Sequence, residues 1–166
     1  MEKEKLEIMR HSMSHVLAKA LIELYQDVKL TIGPPIDNGF YYDIDTEKRI
    51  TPEDFSNIEN KMKEIISQNQ DFKKEIITKT KALELFKNNQ YKTELINELP
   101  EDSEISIYYL SDNFFDLCRG PHVENTKYLR SFAFKINKVA GAYWRGNEKN
   151  KMLQRIYVYG FETNEE

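Results

Sequence analysis

A chain of 166 residues with 40% hydrophobic and 12% aromatic content is long enough to bury about two-thirds of its unfolded surface, and too apolar to be a disordered tail. Its single cysteine excludes an internal disulfide, and no N-terminal apolar run has the length of a signal peptide or a membrane span. The expectation is one cytoplasmic domain, residues 1–166, with no membrane partner. The net charge of −4 hides an asymmetry: from Arg119 to Arg155 nine basic residues stand against two acidic ones, a stretch able to present positive potential to phosphates.

From residue 5 to about 25 the apolar residues Leu6, Met9, Met13, Val16, Leu17, Ala20 and Leu24 recur at helical spacing without proline or glycine, which predicts a helix. His11 and His15 then share one face, one turn apart, and Ser12 and Ser14 read as a small polar cleft wall. Residues 30–33 read as a strand that runs into Pro34-Pro35. Asp37-Asn38-Gly39 is a turn into the aromatic strand Phe40-Tyr41-Tyr42-Asp43, so a hairpin is expected. Thr51-Pro52-Glu53-Asp54 supplies an N-cap, a first-turn proline and acidic residues for a helix to about residue 68, with Ile58, Met62, Ile65 and Ile66 facing inward.

Residues 72–77 are an expected strand, 79–88 a short helix and 91–97 a helical or extended piece. After the acidic turn Pro100-Glu101-Asp102, strands are expected at 105–110, 114–117, 132–139, 142–144 and 152–161. Helices dominate the front half and strands the back half, which gives an α+β layout with a largely antiparallel sheet packed with helices.

The chain's three histidines and one cysteine fall into two i, i+4 pairs, His11 with His15 and Cys118 with His122, which points to one site. Three chemistries are open to such a set. The two imidazoles on a helix with a thiol and an imidazole across a turn make a tetrahedral N/S set of the kind zinc favours. The zinc-protease pattern is absent, since Ser12 stands where its glutamate would be. A second option is a cysteine nucleophile activated by a nearby histidine. In the third, histidines, a lysine and a carboxylate position one water for attack on an ester. Asp116, two residues before Cys118, would point the same way from a strand end. Gly120-Pro121 enforces a turn that fixes Cys118 and His122.

The helix His11-Ser12-Met13-Ser14-His15 and the segment Gly39-Phe40-Tyr41-Tyr42-Asp43 begin a longer series of motifs. The run Asp116-Leu117-Cys118-Arg119-Gly120-Pro121-His122 and the stretch Gly141-Ala142-Tyr143-Trp144-Arg145-Gly146, followed by Met152-Leu153-Gln154-Arg155-Ile156-Tyr157, complete it in order. Together they closely resemble the editing, or second additional, domain of bacterial-type threonyl-tRNA synthetase. The resemblance spans nearly the whole chain.

It implies the α+β editing fold shared with alanyl-tRNA synthetase, and proofreading hydrolysis of mischarged seryl-tRNA(Thr) by a positioned water. The catalytic positions it implies are His11, His15, Lys92, Asp116, Cys118 and His122, with Tyr42 and Arg119 as substrate-binding positions. No metal is required under this reading; if zinc is bound, His11, His15, Cys118 and His122 hold it. The expected roles are Lys92 and His11 on the water, His15 and His122 at the terminal adenosine or leaving hydroxyl, and Asp116 and Cys118 at the seryl part. The implied partners are the acceptor end of tRNA(Thr) carrying serine and the other domains of a parent synthetase. This chain would be one domain excised from that enzyme, with ATP and a catalytic zinc belonging to its synthetic part. The rival readings are a zinc-dependent deacylase of mischarged tRNA(Ala) and a non-catalytic tRNA-binding module.

Overall fold

The computed structural model describes residues 2–162. In chain order its elements are α1 (Glu2–Leu24), β1 (Lys29–Leu30), β2 (Pro35–Ile36), β3 (Gly39–Asp45), α2 (Phe55–Ser67), β4 (Phe72–Ile77), α3 (Lys79–Leu85), α4 (Gln90–Asn97), β5 (Ile105–Leu110), β6 (Phe115–Leu117), β7 (Phe132–Tyr143) and β8 (Met152–Glu162). This is the α+β fold expected, but its strands form two antiparallel sheets. One has the order β1-β3-β8-β7 with β2 also paired to β3, and the other has the order β4-β5-β6.

Helix α1 is the axis of the molecule, and every residue from Ser12 to Leu21 is buried. Met13, Val16, Leu17 and Leu21 pack with Phe40, Ile44, Ile156 and Val158 of the larger sheet and with Ile58, Met62 and Ile65 of α2. Each such side chain, fully buried, stabilises the fold by about 1.5–3 kcal/mol. A second core of Ile77, Ala82, Phe86, Ile96, Ile105 and Ile107 lies between the smaller sheet and α3 and α4. Because α1 is covered on more than one side, Ser12 and Ser14 are fully buried, not a polar cleft wall. Ser14 Oγ donates to the His11 carbonyl at 2.6 Å. Lys19, also buried, reaches Gln70 Oε1 at 2.6 Å and so ties α1 to the chain entering β4.

Other departures have local causes. The strand expected at 30–33 pairs with β3 as a ladder only through Leu30 and resumes at Pro35, while between them the Thr31 amide reaches the Asp43 carbonyl at 3.2 Å and the Asp43 amide the Ile32 carbonyl at 2.9 Å. The segments 132–139 and 142–144 are joined in the single strand β7, which absorbs a bulge between Ile136 and Lys138; Trp144 opens the 3-10 turn that follows. The ambiguous piece at 91–97 is helical because the Asn89 side chain caps it, accepting from the Tyr91 and Lys92 amides at 3.0 and 3.1 Å. Among the described residues no helix is long and apolar enough to cross a membrane.

Four of the nine cations of the basic stretch are matched by carboxylates within the molecule. Arg155 holds Asp43 through two bonds of 2.8 and 2.9 Å, Lys151 pairs with Asp45 at 2.9 Å, Lys135 with Glu59 at 3.6 Å, and Arg145 with Glu94 and Glu98. The surplus read along the chain is therefore reduced in part.

Candidate active site

Four pieces of chain converge beside α1. Helical spacing puts His11 and His15 on one stripe, with ring centroids 5.5 Å apart. The alternation of β3 turns Tyr42 inward. Asn89 also donates through Nδ2 to the Leu30 carbonyl at 2.8 Å, so the first turn of α4 is tied to β1 and Lys92 is aimed over Thr31. Asp116 and Cys118 lie two residues apart along one sheet edge. The pairing continues past β6, since the Cys118 amide donates to the Ser106 carbonyl at 3.2 Å. Gly120 then turns the chain at φ +76°, where a Cβ would stand 2.4 Å from Tyr108 Oη, so only glycine fits.

The floor of the cleft is a nearly saturated polar knot. Asp116 Oδ1 accepts from Lys92 Nζ at 2.7 Å and from the Leu117 amide at 2.8 Å, and Oδ2 accepts from Tyr42 Oη at 2.6 Å. Lys92 Nζ also donates to the Thr31 carbonyl at 2.5 Å. Tyr42, Lys92 and Asp116 are at most 2% exposed. A carboxylate and an ammonium this deep are tolerable because each has its counter-charge and further hydrogen bonds. His15 Nε2 lies 3.8 Å from Asp116 Oδ2, too far for a hydrogen bond, and its buried Nδ1 has no hydrogen-bond partner among the described residues.

The rim is looser. Cys118 Sγ lies 3.4 Å from His11 Nε2 and 3.2 Å from His122 Nε2, and accepts from the Gly120 amide at 3.2 Å. His122 is oriented from behind: its Nδ1 is 3.0 Å from Ser12 Oγ, which also accepts from the Val123 amide at 3.0 Å. Phe72 stacks on the same ring at 5.1 Å, and Tyr108 meets it edge-on at 4.4 Å.

Burial sets the protonation states. It pushes the His15 pKa well below the ordinary histidine value, helped by the charges of His11 and Lys92. Burial also lowers His122, with His15 and His11 adding to the effect, and lowers His11, where Asp116 and a hydrogen bond at Pro121 oppose it. At neutral pH all three imidazoles are thus uncharged and able to accept a proton or a metal. The Cys118 thiol is pushed up to about 11, chiefly by burial, and a thiol kept protonated is a weak nucleophile. Tyr42, raised well above its usual value by burial and by Asp116, stays a hydrogen-bond donor.

The donor atoms of His11, His15, Cys118 and His122 all lie within 4.8 Å of one another. Neutral imidazoles, a thiol, a free buried Nδ1 on His15 and this closeness fit a tetrahedral metal.

Of the residues expected at the site, His11, His15, Tyr42, Lys92, Asp116, Cys118 and His122 come together. The Arg119 side chain is exposed and makes no hydrogen bond or ion pair among the described residues. Ser12, expected as a cleft wall, joins the site instead through its bond to His122, and the Thr31 carbonyl, Phe72 and Tyr108 join it without having been expected there. Ser12 alone had a local signal, its place beside His11; the others arrive through sheet register.

Residues 105–157 match the family model described as the threonyl and alanyl tRNA synthetase second additional domain. The chain is 56% identical over 148 residues to a threonine-tRNA ligase of Borrelia turicatae, covering 89% of this chain and 25% of that protein. Against the threonine-tRNA ligase of Fusobacterium nucleatum the identity is 50% over 162 residues, 96% of this chain and 26% of the relative. Against that of Allorhizobium ampelinum it is 52% over 163 residues, 97% and 24%. The chain spans about a quarter of the length of these relatives.

Proposed function

Because the chain belongs to the second additional domain family of threonyl and alanyl tRNA synthetases, in its threonyl form, we propose that it is the proofreading domain of a larger synthetase and hydrolyses seryl-tRNA(Thr). The observation that carries this reading is the buried Asp116, fixed by Lys92 and Tyr42 and set beside three uncharged histidines.

Asp116 has one acceptor position left after its three bonds, and the seryl hydroxyl is a donor of the right size for it. Water adds to the ester carbonyl carbon, its proton passing to the neutral, half-buried imidazole of His11. The bond from that carbon to the ribose oxygen then breaks. The ribose oxygen takes up a proton, leaving serine and an uncharged tRNA end. His15 and His122 line the side on which the adenosine lies, and Cys118 packs beside the seryl group. Lys92, shut under Asp116, is a positioning residue: it aims the carboxylate and does not meet the water. The extra methyl of threonine is worth roughly 1–3 kcal/mol in a pocket, about 10–200-fold, so a second, smaller site is what fidelity against serine needs.

The four close donors and the free His15 Nδ1 favour a second reading, a zinc-dependent deacylase of mischarged tRNA(Ala). His11, His15, Cys118 and His122 would hold the ion, which when bound supplies Lewis acidity toward an ester carbonyl.

Single-turnover release of serine from seryl-tRNA(Thr) by the 166-residue chain tests the first reading. His11→Ala is expected to slow it by at least about a hundredfold, the usual worth of a general base. An unchanged rate would remove His11 from the mechanism, and binding without any turnover would leave a tRNA-binding module. Activity on seryl-tRNA(Ala) that a chelator abolishes would establish the zinc reading instead.

A further inference from the structure

The stripe of α1 that carries His11 and His15 continues toward the helix start as Ile8 and Glu4, each one turn further along. Opposite it, the chain that leaves His122 runs on through Glu124, Lys127 and Tyr128. These two continuations enclose a groove of about 850 Å³ that reaches His122 at one end. From His11 to Glu4 the helix rises about 10 Å, room for chain beyond a terminal nucleoside. The groove is thus an extension of the cleft built from the same two elements.

Its chemistry is mixed in a particular way. Tyr128 is 52% exposed, large for an aromatic ring outside an interface, and Lys127 Nζ lies 5.3 Å from the ring centroid. Arg130, also on this wall, is held in place by Asn69 Oδ1. Ile8 supplies an apolar wall. Lys5 and Glu162, paired at 2.8 Å, neutralise each other, which leaves the Glu4 and Glu124 carboxylates as acceptors. A flat ring, cations and carboxylates in one groove match the parts of a cytidine nucleotide: a base that stacks, a phosphate, and an exocyclic amino group that donates to carboxylates.

Resting on the proofreading reading, we infer that this groove binds the cytidines preceding the terminal adenosine of tRNA, with a base on Tyr128, phosphate at Lys127 and Arg130, and a cytosine amino group at Glu4 or Glu124. The groove then fixes how far the acceptor end enters the cleft, and with it where the ester lies.

Fluorescence anisotropy with the 166-residue chain and an uncharged RNA hairpin ending in single-stranded CCA tests this, against the same hairpin ending in UUA. Uracil presents an oxygen where cytosine presents its amino group. The CCA hairpin is expected to bind at least fivefold tighter than the UUA hairpin, and Tyr128→Ala to weaken CCA binding by at least about fivefold, the low end of what one stacked base contributes. Equal binding of the two hairpins, or a Tyr128→Ala protein that binds CCA as wild type does, would overturn the assignment. Should Tyr128→Ala fail to fold, the wild-type ratio of the two hairpins decides alone. Binding is read without chemistry, so a CCA preference in a chain that releases no serine counts only against the proofreading reading. Serine release with no CCA preference counts only against the groove.

Discussion

At the floor of the cleft Asp116 takes three hydrogen bonds, two of them from side chains as deeply buried as itself, and Lys92 spends a second bond on the Thr31 carbonyl. At the rim His11, Cys118 and His122 are only half-buried, meet through two sulfur contacts of 3.2 and 3.4 Å, and stand beside a histidine with an unpartnered ring nitrogen. Both regions are made of titratable groups. The floor uses nearly all its hydrogen-bonding capacity internally and so holds one geometry. The rim keeps capacity to spare, which is what a substrate, a water or a metal requires. Fixed charge below and uncommitted nitrogen above is the division of labour that an ester hydrolase needs.

The harshest way to break that contrast is to empty the floor. Lys92→Met leaves a buried carboxylate without its counter-charge, which is expected to cost about 3–5 kcal/mol of stability in urea denaturation. A loss under 1 kcal/mol would mean that Asp116 is far better solvated than the fold implies.

Acid strains the rim and its neighbour His15 next. In chelator-treated protein the folded pKa of His15 is well below 6.5, so below that pH the unfolded chain binds a proton that the folded chain refuses. The stability that neutral His15 contributes is therefore present above about pH 6.5 and is lost as the pH falls, by about 1.4 kcal/mol per unit. Denaturation at pH 7.5, 6.5 and 5.5 should show most of the fall in the lower interval, and His15→Gln should remove the share of His15 while leaving that of His11 and His122. A flat curve for the native sequence would place all three imidazoles in water.

The mildest change touches the two bonds of the Ser12 hydroxyl, to His122 and from the Val123 amide. Ser12→Ala is expected to cost about 1 kcal/mol and, by freeing the imidazole, to lower the deacylation rate or metal affinity at least about tenfold. Equal melting and equal rate would show that Phe72 and Tyr108 alone hold that ring.

Much of the rim was legible in the sequence because its signals are local. Helical spacing alone joins His11 to His15, and the Gly120-Pro121 turn joins Cys118 to His122; four rare residues in two pairs invite one site. The floor was harder. Lys92 sits in a segment whose structure rests on the Asn89 cap, and its approach to Asp116 depends on α4 being tied to β1, which no spacing along the chain announces. Tyr41 and Tyr42 are indistinguishable by type, and only the register of β3 on β8 decides which turns inward. The number of sheets was hidden for the same reason, since strand patterns give a face but not a partner. The basic stretch misled in one dimension, because Glu94, Glu98, Asp43 and Asp45, which take up Arg145, Arg155 and Lys151, come from far earlier in the chain.

The most direct test of the account is the ratio of single-turnover deacylation rates on seryl-tRNA(Thr) and threonyl-tRNA(Thr), measured with the chelator-treated 166-residue chain. A water positioned by the fixed floor and taken up by a neutral rim histidine predicts serine release at least about tenfold faster than threonine release, retained after chelation. Equal rates on the two esters, or activity that returns only when zinc is added back, would contradict it.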